Sequence, residues 1–341
     1  MKRLLAATAL LLAAAPASAG DIRFPTRFDP IGSPVSQLQV GPRTVHYTDT
    51  GEAGWTPMLF IGGAGTSARA PELVAFLDSL RRQLKVRIVT VERNGFGDTA
   101  FDPAWGFADY VGDVQAVLGT LKIDRFALVA ISGGGAYAGH IAAAMPQRLR
   151  SWHMLAAVSS MAGQSLCQAD EAALIAGLKP QVGAPRVWWD MPKDGVSAHV
   201  RGFADRAADE GAHAFFIAGQ QGDPRGMVAE YRRFCASAAR VDAVHAPSFF
   251  YYGAADHTVP PAQGEVWAKQ AKGRVTFRRY PGEGHDVQYR HWDQLLLDVA
   301  GRRGTLVCRG GKAQVVPGEL DPAHLPRGTS LGVCAWARGT G

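Results

Sequence analysis

Ser132 lies where an apolar run changes abruptly into small residues, and it could act as a nucleophile. Residues 128–131 before it are typical of a buried strand, and a helix-forming segment follows. A serine held in a sharp strand-to-helix turn needs small neighbours, which Ala130 and Gly134 provide. The pattern is A-x-S-x-G, with alanine where glycine is usual. The alternative interpretation is a serine that only caps the helix.

Strand and helix patterns alternate along the chain at the spacing of βαβ units. The candidate strands are residues 43–48, 58–61, 86–91, 126–131, 151–158, 248–252 and 275–280, and the candidate helices are residues 71–84, 107–121, 137–145 and 262–271. This alternation predicts an α/β fold with a mostly parallel central sheet and helices on both faces. Because such sheets bind ligands beyond the carboxyl ends of their strands, the loops there should form the site.

Five loops, in order, resemble those of the α/β-hydrolase superfamily, and the similarity extends over about residues 43–300. The loops are Gly62-Gly63-Ala64-Gly65, Glu92-Arg93-Asn94-Gly95-Phe96-Gly97, the serine turn, Gly253-x-x-Asp256 with Val259-Pro260, and Gly284-His285. The resemblance implies the α/β-hydrolase fold, in its serine-nucleophile branch with a lid insertion. The chain departs from the family pattern at Ala130 and at Gly62, where the family often has histidine.

The resemblance implies a catalytic triad of Ser132, His285 and Asp256. His285 would accept the proton of Ser132, and Asp256 would fix the tautomer of His285 and stabilise its charged form. The rival acids are Asp286, which is poorly placed to reach the neighbouring ring, and Glu283, which we expect to be solvated.

Two other histidines lie near the motifs, and the sequence favours neither as the base. His257 is adjacent to Asp256, and we expect a surface position because the base and the acid that orients it must be separate groups in line. His140 lies two turns into the helix after Ser132, and we expect it to be packed.

Backbone groups should stabilise the negative charge that develops on a substrate carbonyl oxygen. The resemblance assigns this oxyanion hole to the N–H groups of Gly133 and Ala64. No metal or other cofactor is expected, since the sequence has no H-E-x-x-H motif and no cysteine–histidine cluster of ligand spacing.

Residues 159–246 interrupt the alternating pattern and predict a lid between the two core segments, 20–158 and 247–303. Trp188, Trp189 and Tyr137 are candidates for the substrate pocket, although the lid aromatics could equally form the core of the lid. The tail, residues 304–341, has strand-like segments at 305–308, 313–316 and 331–336, which suggest a disulfide-linked hairpin.

The first 19 residues have the features of a cleavable signal peptide. Lys2 and Arg3 precede an apolar run, and Ala17-Ser18-Ala19 is a small-residue cleavage site. Cleavage after Ala19 predicts a periplasmic or secreted protein with no integral membrane segment, because the apolar run is too short to span a bilayer.

Composition limits the partners and the organisation of the chain. The 341 residues are 47% hydrophobic and 19% charged, which predicts one large globular domain or a domain with an insertion. The formal net charge of +6 falls to +4 without Lys2 and Arg3, and the arginine pairs are isolated, so nucleic acid is not an expected partner. The expected partner is a small ester or amide substrate, and the oligomeric state is open.

All four cysteines follow the leader, at positions 167, 235, 308 and 334. An even number in an oxidising compartment suggests two disulfides. Three pairings are possible, and we favour Cys167 with Cys235 and Cys308 with Cys334 because each pair lies within one region. Free buried thiols are the alternative.

These features predict a serine hydrolase that transfers an acyl group to water, with a carboxylic ester as substrate. Proline-type aminopeptidases, lactonases, carbon–carbon bond hydrolases and acyltransferases share the fold, and the triad does not distinguish them. A binding protein that retains the fold without catalysis is the alternative from another class.

Overall fold

A computed structural model describes residues 33–183 and 223–337. The predicted signal peptide, residues 1–19, and the pocket candidates Trp188 and Trp189 lie outside the described residues.

An eight-stranded sheet forms the centre of the described chain, with strand order β1-β2-β4-β3-β5-β6-β7-β8. Strands β3 to β8 are parallel to one another, whereas β1 and β2 form an antiparallel edge. The strands are β1 (Ser36–Val40), β2 (Arg43–Thr50), β3 (Thr56–Ile61), β4 (Val86–Val91), β5 (Phe126–Ile131), β6 (Leu149–Leu155), β7 (Ser248–Gly253) and β8 (Val275–Tyr280). The predicted fold class, a mostly parallel α/β sheet, is confirmed.

Helices cover both faces of the sheet. They are α1 (Asp78–Gln83), α2 (Phe107–Thr120), α3 (Gly134–Ala144), α4 (Glu171–Gly183), α5 (Pro224–Phe234), α6 (Ala262–Ala268), α7 (Val287–Arg290) and α8 (Trp292–Val299). Alternate residues of a strand point to opposite faces. In β5, Leu128 packs in the cluster that includes α2 and α3, and Val129 packs in the cluster that includes α8. All six residues of β5 are buried, which is typical of a central parallel strand.

The structure differs from the predicted elements at the start of the chain. Strand β1 lies in a segment that the sequence indicated only as a polar lead, because this edge strand is half exposed and has only two apolar residues, Leu38 and Val40. The helix predicted over 71–84 is a 3₁₀ helix, Ala70–Leu77, followed by α1. Its buried residues Ala70 and Leu73, like Pro71 and Val74, are three apart, which suits a helix of three residues per turn.

The tail forms a second, three-stranded antiparallel sheet with the order β10-β9-β11. Its strands are β9 (Thr305–Arg309), β10 (Lys312–Val316) and β11 (Thr329–Leu331), and helix α9 (Cys334–Ala337) follows. The strand predicted over 331–336 is therefore wrong after Leu331. Asp293 of α8 accepts hydrogen bonds from Val333 N at 2.7 Å and Trp336 Nε1 at 3.0 Å, so α9 is held against the core.

Two disulfides join Cys167 to Cys235 and Cys308 to Cys334, the pairing that the sequence favoured. The first links the two ends of the predicted lid, and the second links β9 to α9. In the described ranges, no helix is both long and apolar enough to cross a membrane.

The Cys308–Cys334 bond should contribute measurably to stability, because it closes a loop with a sequence separation of 26 residues. We expect Cys308→Ala/Cys334→Ala to lower the free energy of unfolding by about 3 kcal/mol, as measured by urea denaturation without reductant. A loss below about 1 kcal/mol would show that α9 is held by its contacts with Asp293 alone.

Candidate active site

Ser132 adopts a strained backbone conformation at the end of β5. Its φ of 46° lies in the left-handed region, which is uncommon for residues other than glycine. Three backbone hydrogen bonds hold the turn. Ser132 N donates to Leu155 O at 3.3 Å, and Ser132 O accepts from Val158 N at 2.8 Å and from Gly135 N at 3.0 Å. The end of β6 therefore supports the conformation that exposes the serine hydroxyl.

The small residues around Ser132 have a steric reason. A Cβ at Gly134 would overlap the carbonyl oxygens of Ile61 and Gly62, at the end of the neighbouring strand β3. Only glycine allows the first turn of α3 to approach β3 this closely. The sequence pattern predicts a small residue at position 134. The reason is that the backbone at the end of β3 occupies the place where a side chain would lie.

The structure brings Ser132, His285 and Asp256 into one line of hydrogen bonds. His285 Nε2 lies 3.0 Å from Ser132 Oγ, and His285 Nδ1 lies 2.8 Å from Asp256 Oδ2. The three residues follow β5, β7 and β8, so the parallel sheet places them at one edge.

Asp256 is buried, with 3% of its surface exposed, and both carboxylate oxygens are used. Oδ1 accepts hydrogen bonds from Thr258 N at 2.9 Å and Val259 N at 2.8 Å, which leaves Oδ2 directed at His285. With Oδ2 as the acceptor, His285 must carry its proton on Nδ1 and leave Nε2 free to accept the proton of Ser132.

The rival acids are engaged elsewhere. Glu283 is not solvated as expected: it is half buried and lies 2.8 Å from His291 Nε2 and 3.6 Å from Arg290 Nε. Burial alone would raise the pKa of Glu283, but these two basic groups outweigh it and hold the pKa below its usual value. Asp286 accepts the N–H of Gly284 within its own loop at 3.2 Å.

The rival histidines lie apart from Ser132. His257 is exposed on the loop after β7, as its surface interpretation predicts. His140 stacks on Phe107 with ring centroids 4.0 Å apart, and burial lowers its pKa.

The two expected oxyanion-hole amides lie close together beside Ser132. A Cβ placed on Gly133 would lie 3.0 Å from Ala64 N, and one placed on Gly63 would lie 3.4 Å from Ser132 Cβ. Gly133 also precedes α3, and the N-terminus of a helix carries partial positive charge. The arrangement could therefore stabilise an anionic oxygen bound to the carbon that Ser132 attacks.

A buried ion pair holds the glycine-rich turn at 62–65, and the sequence did not single it out. Arg93 Nε lies 2.6 Å from Glu230 Oε1, with 2% of Arg93 and none of Glu230 exposed. The same guanidinium donates to Gly62 O at 3.1 Å and Gly63 O at 2.7 Å. Glu230 Oε2 accepts from Gly65 N at 2.9 Å. The pair thus bonds to three backbone groups of the turn that carries Ala64.

Arg93 keeps its charge in this buried position. Burial lowers its pKa, but the Glu230 carboxylate outweighs burial and raises the pKa above its usual value. The guanidinium also lies 5.2 Å from the ring centre of Tyr137, a cation–π distance.

A second buried carboxylate, Glu92, joins the turn to the loop after β4. Its Oε1 accepts from Ala68 N at 3.2 Å, and its Oε2 accepts from Asp98 N at 2.8 Å and Thr99 Oγ1 at 3.1 Å. Burial raises the pKa of Glu92. Glu92 and Arg93 together hold the loop after β4 against the chain that follows β3.

Tyr137 does not line an open pocket, contrary to expectation. It is 1% exposed, and its ring packs against Phe107, Tyr110 and Phe234. Its position in the first turns of α3 directs it into the core because that face of the helix packs against α2. Within the described ranges, no cluster of three or more histidine, cysteine, aspartate or glutamate residues could hold a metal ion.

The geometry of the site agrees with a comparison of the chain with known families. The model of the alpha/beta hydrolase family matches residues 58–299, which is more than half of the chain. The chain belongs to the α/β-hydrolase family. The match includes β3 from Met58 onward, all of β4 to β8, and all three residues aligned by hydrogen bonds. A search of curated protein sequences gave no match.

Solved structures with this fold are similar at low sequence identity. A hydrolase from Pseudomonas aeruginosa PA01 has a TM-score of 0.61 at 17% identity, over 78% of this chain and 98% of that one. A carboxylesterase structure from Nitrososphaera gargenis has a TM-score of 0.61 at 16% identity, over 78% and 99%. The enol-lactonase from Burkholderia xenovorans LB400 has a TM-score of 0.58 at 18% identity, over 78% and 99%. At these identities the similarity shows the fold alone.

Removing the charge of Glu230 should disturb the turn that carries Ala64. We expect Glu230→Gln to lower kcat for a p-nitrophenyl ester by about 10²-fold with little change in KM. The reason is that the backbone N–H of Ala64 would move away from the position where the oxyanion develops. The uncompensated charge on Arg93 should also lower the free energy of unfolding by about 3–5 kcal/mol.

The matched control is Asp113→Asn. Asp113 is another buried carboxylate, 2.6 Å from Arg43 Nη2, but it contacts neither the turn nor Ser132. The Asp113→Asn variant should be less stable than the wild-type protein and should keep its kcat. Equal losses of kcat in the two variants, or an unchanged kcat in Glu230→Gln, would contradict a positioning role for Glu230.

Proposed function

We propose that the protein is a serine hydrolase that cleaves carboxylic esters through an acyl-enzyme. The observation that carries the proposal is the line Asp256–His285–Ser132, with successive separations of 2.8 and 3.0 Å. A serine hydroxyl is inert at its ordinary pKa, and a histidine oriented by a carboxylate is the arrangement that activates it.

The first half of the reaction acylates Ser132. Its Oγ attacks the carbonyl carbon while its proton passes to His285 Nε2, and the N–H groups of Ala64 and Gly133 bind the oxyanion. The carbon–oxygen bond to the alcohol then breaks, and the proton on His285 goes to the departing oxygen. Asp256 stabilises the charged imidazole throughout.

The second half restores the enzyme. His285 accepts a proton from water, whose oxygen attacks the acyl carbon and forms a second oxyanion at the same amides. Collapse releases the carboxylic acid and returns the proton to Ser132. The net reaction consumes one ester and one water and yields an alcohol and a carboxylic acid.

Among the similar solved structures, one is described as a carboxylesterase and another as an enol-lactonase, and both names denote cleavage of an ester. A lactone is a cyclic ester, so the same groups would open it by the same steps. We propose a linear ester as the substrate and a lactone as the second candidate.

We also propose that the enzyme acts outside the cytoplasm. Lys2, Arg3 and the apolar run before Ala19 support export, and the two disulfides suit an oxidising compartment.

An active serine should react with a fluorophosphonate probe. We expect one label per chain at Ser132 in the wild-type protein and none in Ser132→Ala, as read by mass spectrometry of the labelled peptides. Labelling that persists in Ser132→Ala, or no labelling of the folded wild-type protein, would refute the serine-hydrolase proposal.

Replacing His285 and replacing His257 should have different effects on the rate of ester hydrolysis. His285→Ala should reduce kcat for p-nitrophenyl acetate by about 10⁴-fold or more, because Ser132 loses its base. His257→Ala is the matched control and should keep the wild-type rate, since His257 is exposed and hydrogen bonds join Ser132 to His285 instead. The reverse result would assign the base to His257.

A further inference from the structure

A basic cleft lies at the end of the central sheet where strands β5, β6 and β8 begin. It encloses about 810 Å³. Five arginines line this arginine cleft: Arg125, Arg150, Arg274, Arg302 and Arg303. All five are exposed, so their guanidinium groups can reach a ligand in the cleft.

The cleft is separate from the candidate active site. Arg125 and Arg274 come just before the first residues of β5 and β8, and Arg150 is the second residue of β6. The candidate catalytic residues follow the opposite ends of β5, β7 and β8. A strand of six residues is about 20 Å long at roughly 3.3 Å per residue. The two sites are therefore separated by the length of the strands and lie at opposite ends of them.

The positive charge of the cleft is not neutralised by carboxylates of the described chain. The two acidic residues among its lining, Asp298 and Glu319, both pair with the buried Arg278, at 2.7 and 2.8 Å. Across residues 33–183 and 223–337, none of the five arginines has a carboxylate within ion-pair distance. Five like charges in one concavity raise the free energy of the unoccupied protein, and an anion would relieve it.

The end of α8 does not account for the arginines. A helix C-terminus favours nearby cations, and Arg302 and Arg303 follow α8 within four residues. Arg125, Arg150 and Arg274, however, come from three other segments of the chain. Convergence from four segments indicates a ligand site more than it indicates helix capping.

The base of the cleft is rigid. Ser151 and Phe249 lie on the central strands β6 and β7, and Ser151 Oγ bonds to His153 Nε2 at 2.7 Å. His153 stacks on Phe249 with centroids 4.8 Å apart, and Arg274 lies 5.9 Å from the same ring. Burial lowers the pKa of His153 to about 3, so this histidine is neutral and adds no charge. The base of the cleft is therefore held by packing and hydrogen bonding within the sheet.

We propose that the arginine cleft binds a ligand that carries two or more phosphate groups. Guanidinium groups match the oxygens of phosphate in bidentate pairs, and each phosphate supplies up to two charges and several acceptor oxygens. Five arginines and 810 Å³ exceed what one phosphate group fills. The ligand is either a soluble polyphosphorylated molecule or a group of phosphate-bearing lipid headgroups, and both present the same chemistry.

Calorimetric titration with inorganic tripolyphosphate, at about 0.15 M salt, tests the soluble source. The wild-type protein should bind saturably, and Arg150→Gln/Arg303→Gln should bind about 100-fold more weakly, since each charged hydrogen-bonding partner contributes about tenfold. The matched control, Arg82→Gln/Arg240→Gln, removes two exposed arginines that pair with aspartates outside the cleft, and should bind as the wild type does. Circular dichroism and thermal unfolding confirm that each variant is folded.

Cosedimentation with vesicles tests the lipid source, using phosphatidylcholine with or without phosphatidic acid. Binding in either arm that Arg150→Gln/Arg303→Gln weakens and the control variant keeps supports the proposal, and the arm identifies the source. Binding in neither arm, or equal weakening in both variants, overturns it. No readout requires ester hydrolysis, so this result is independent of the labelling of Ser132.

Discussion

The geometry of the glycine-rich turn at 62–65 depends on the buried pair of Arg93 and Glu230. A buried ion pair is weak evidence for stability, because removing two charges from water offsets most of their attraction. This pair has another effect. Its remaining donors and acceptors bond to the carbonyls of Gly62 and Gly63 and to the N–H of Gly65. A turn with only one small side chain, that of Ala64, is therefore held by groups from two distant segments. The amide of Ala64 lies inside that frame.

Ser132 is held by a different means, and the two constraints complement each other. Its left-handed conformation is strained, and backbone hydrogen bonds from the end of β6 hold it in place. The close approach of Gly134 to β3 then sets the distance between the serine turn and the glycine-rich turn. Ser132 is thus positioned by backbone packing and the amide of Ala64 by buried charge, and both follow adjacent parallel strands.

What could be predicted from the sequence depended on how local the signal was. Ser132, Asp256 and His285 each follow a strand and lie in a short characteristic loop, so the order of elements was enough to predict that they come together. Glu230 has no such signal: it lies 137 residues from Arg93, within a helix whose pattern indicates only an amphipathic segment. Tyr137 was misplaced because an aromatic residue near a nucleophile fits a pocket and a core equally well. The tail helix after Leu331 was missed because a disulfide and the contacts of Asp293, rather than local propensity, position it.

The connection between β6 and β7 has a consequence for how this protein can change. The two strands are parallel neighbours in the sheet, so the chain that leaves one and returns to the other need only come back to an adjacent position. Loop-closure entropy grows slowly with length, by about 0.6 kcal/mol for each doubling. Insertions of very different length and sequence would therefore be tolerated between these strands, provided that the returning segment still delivers a carboxylate to Arg93. That segment could diversify in length and sequence while the sheet and the residues that follow its strands stay the same.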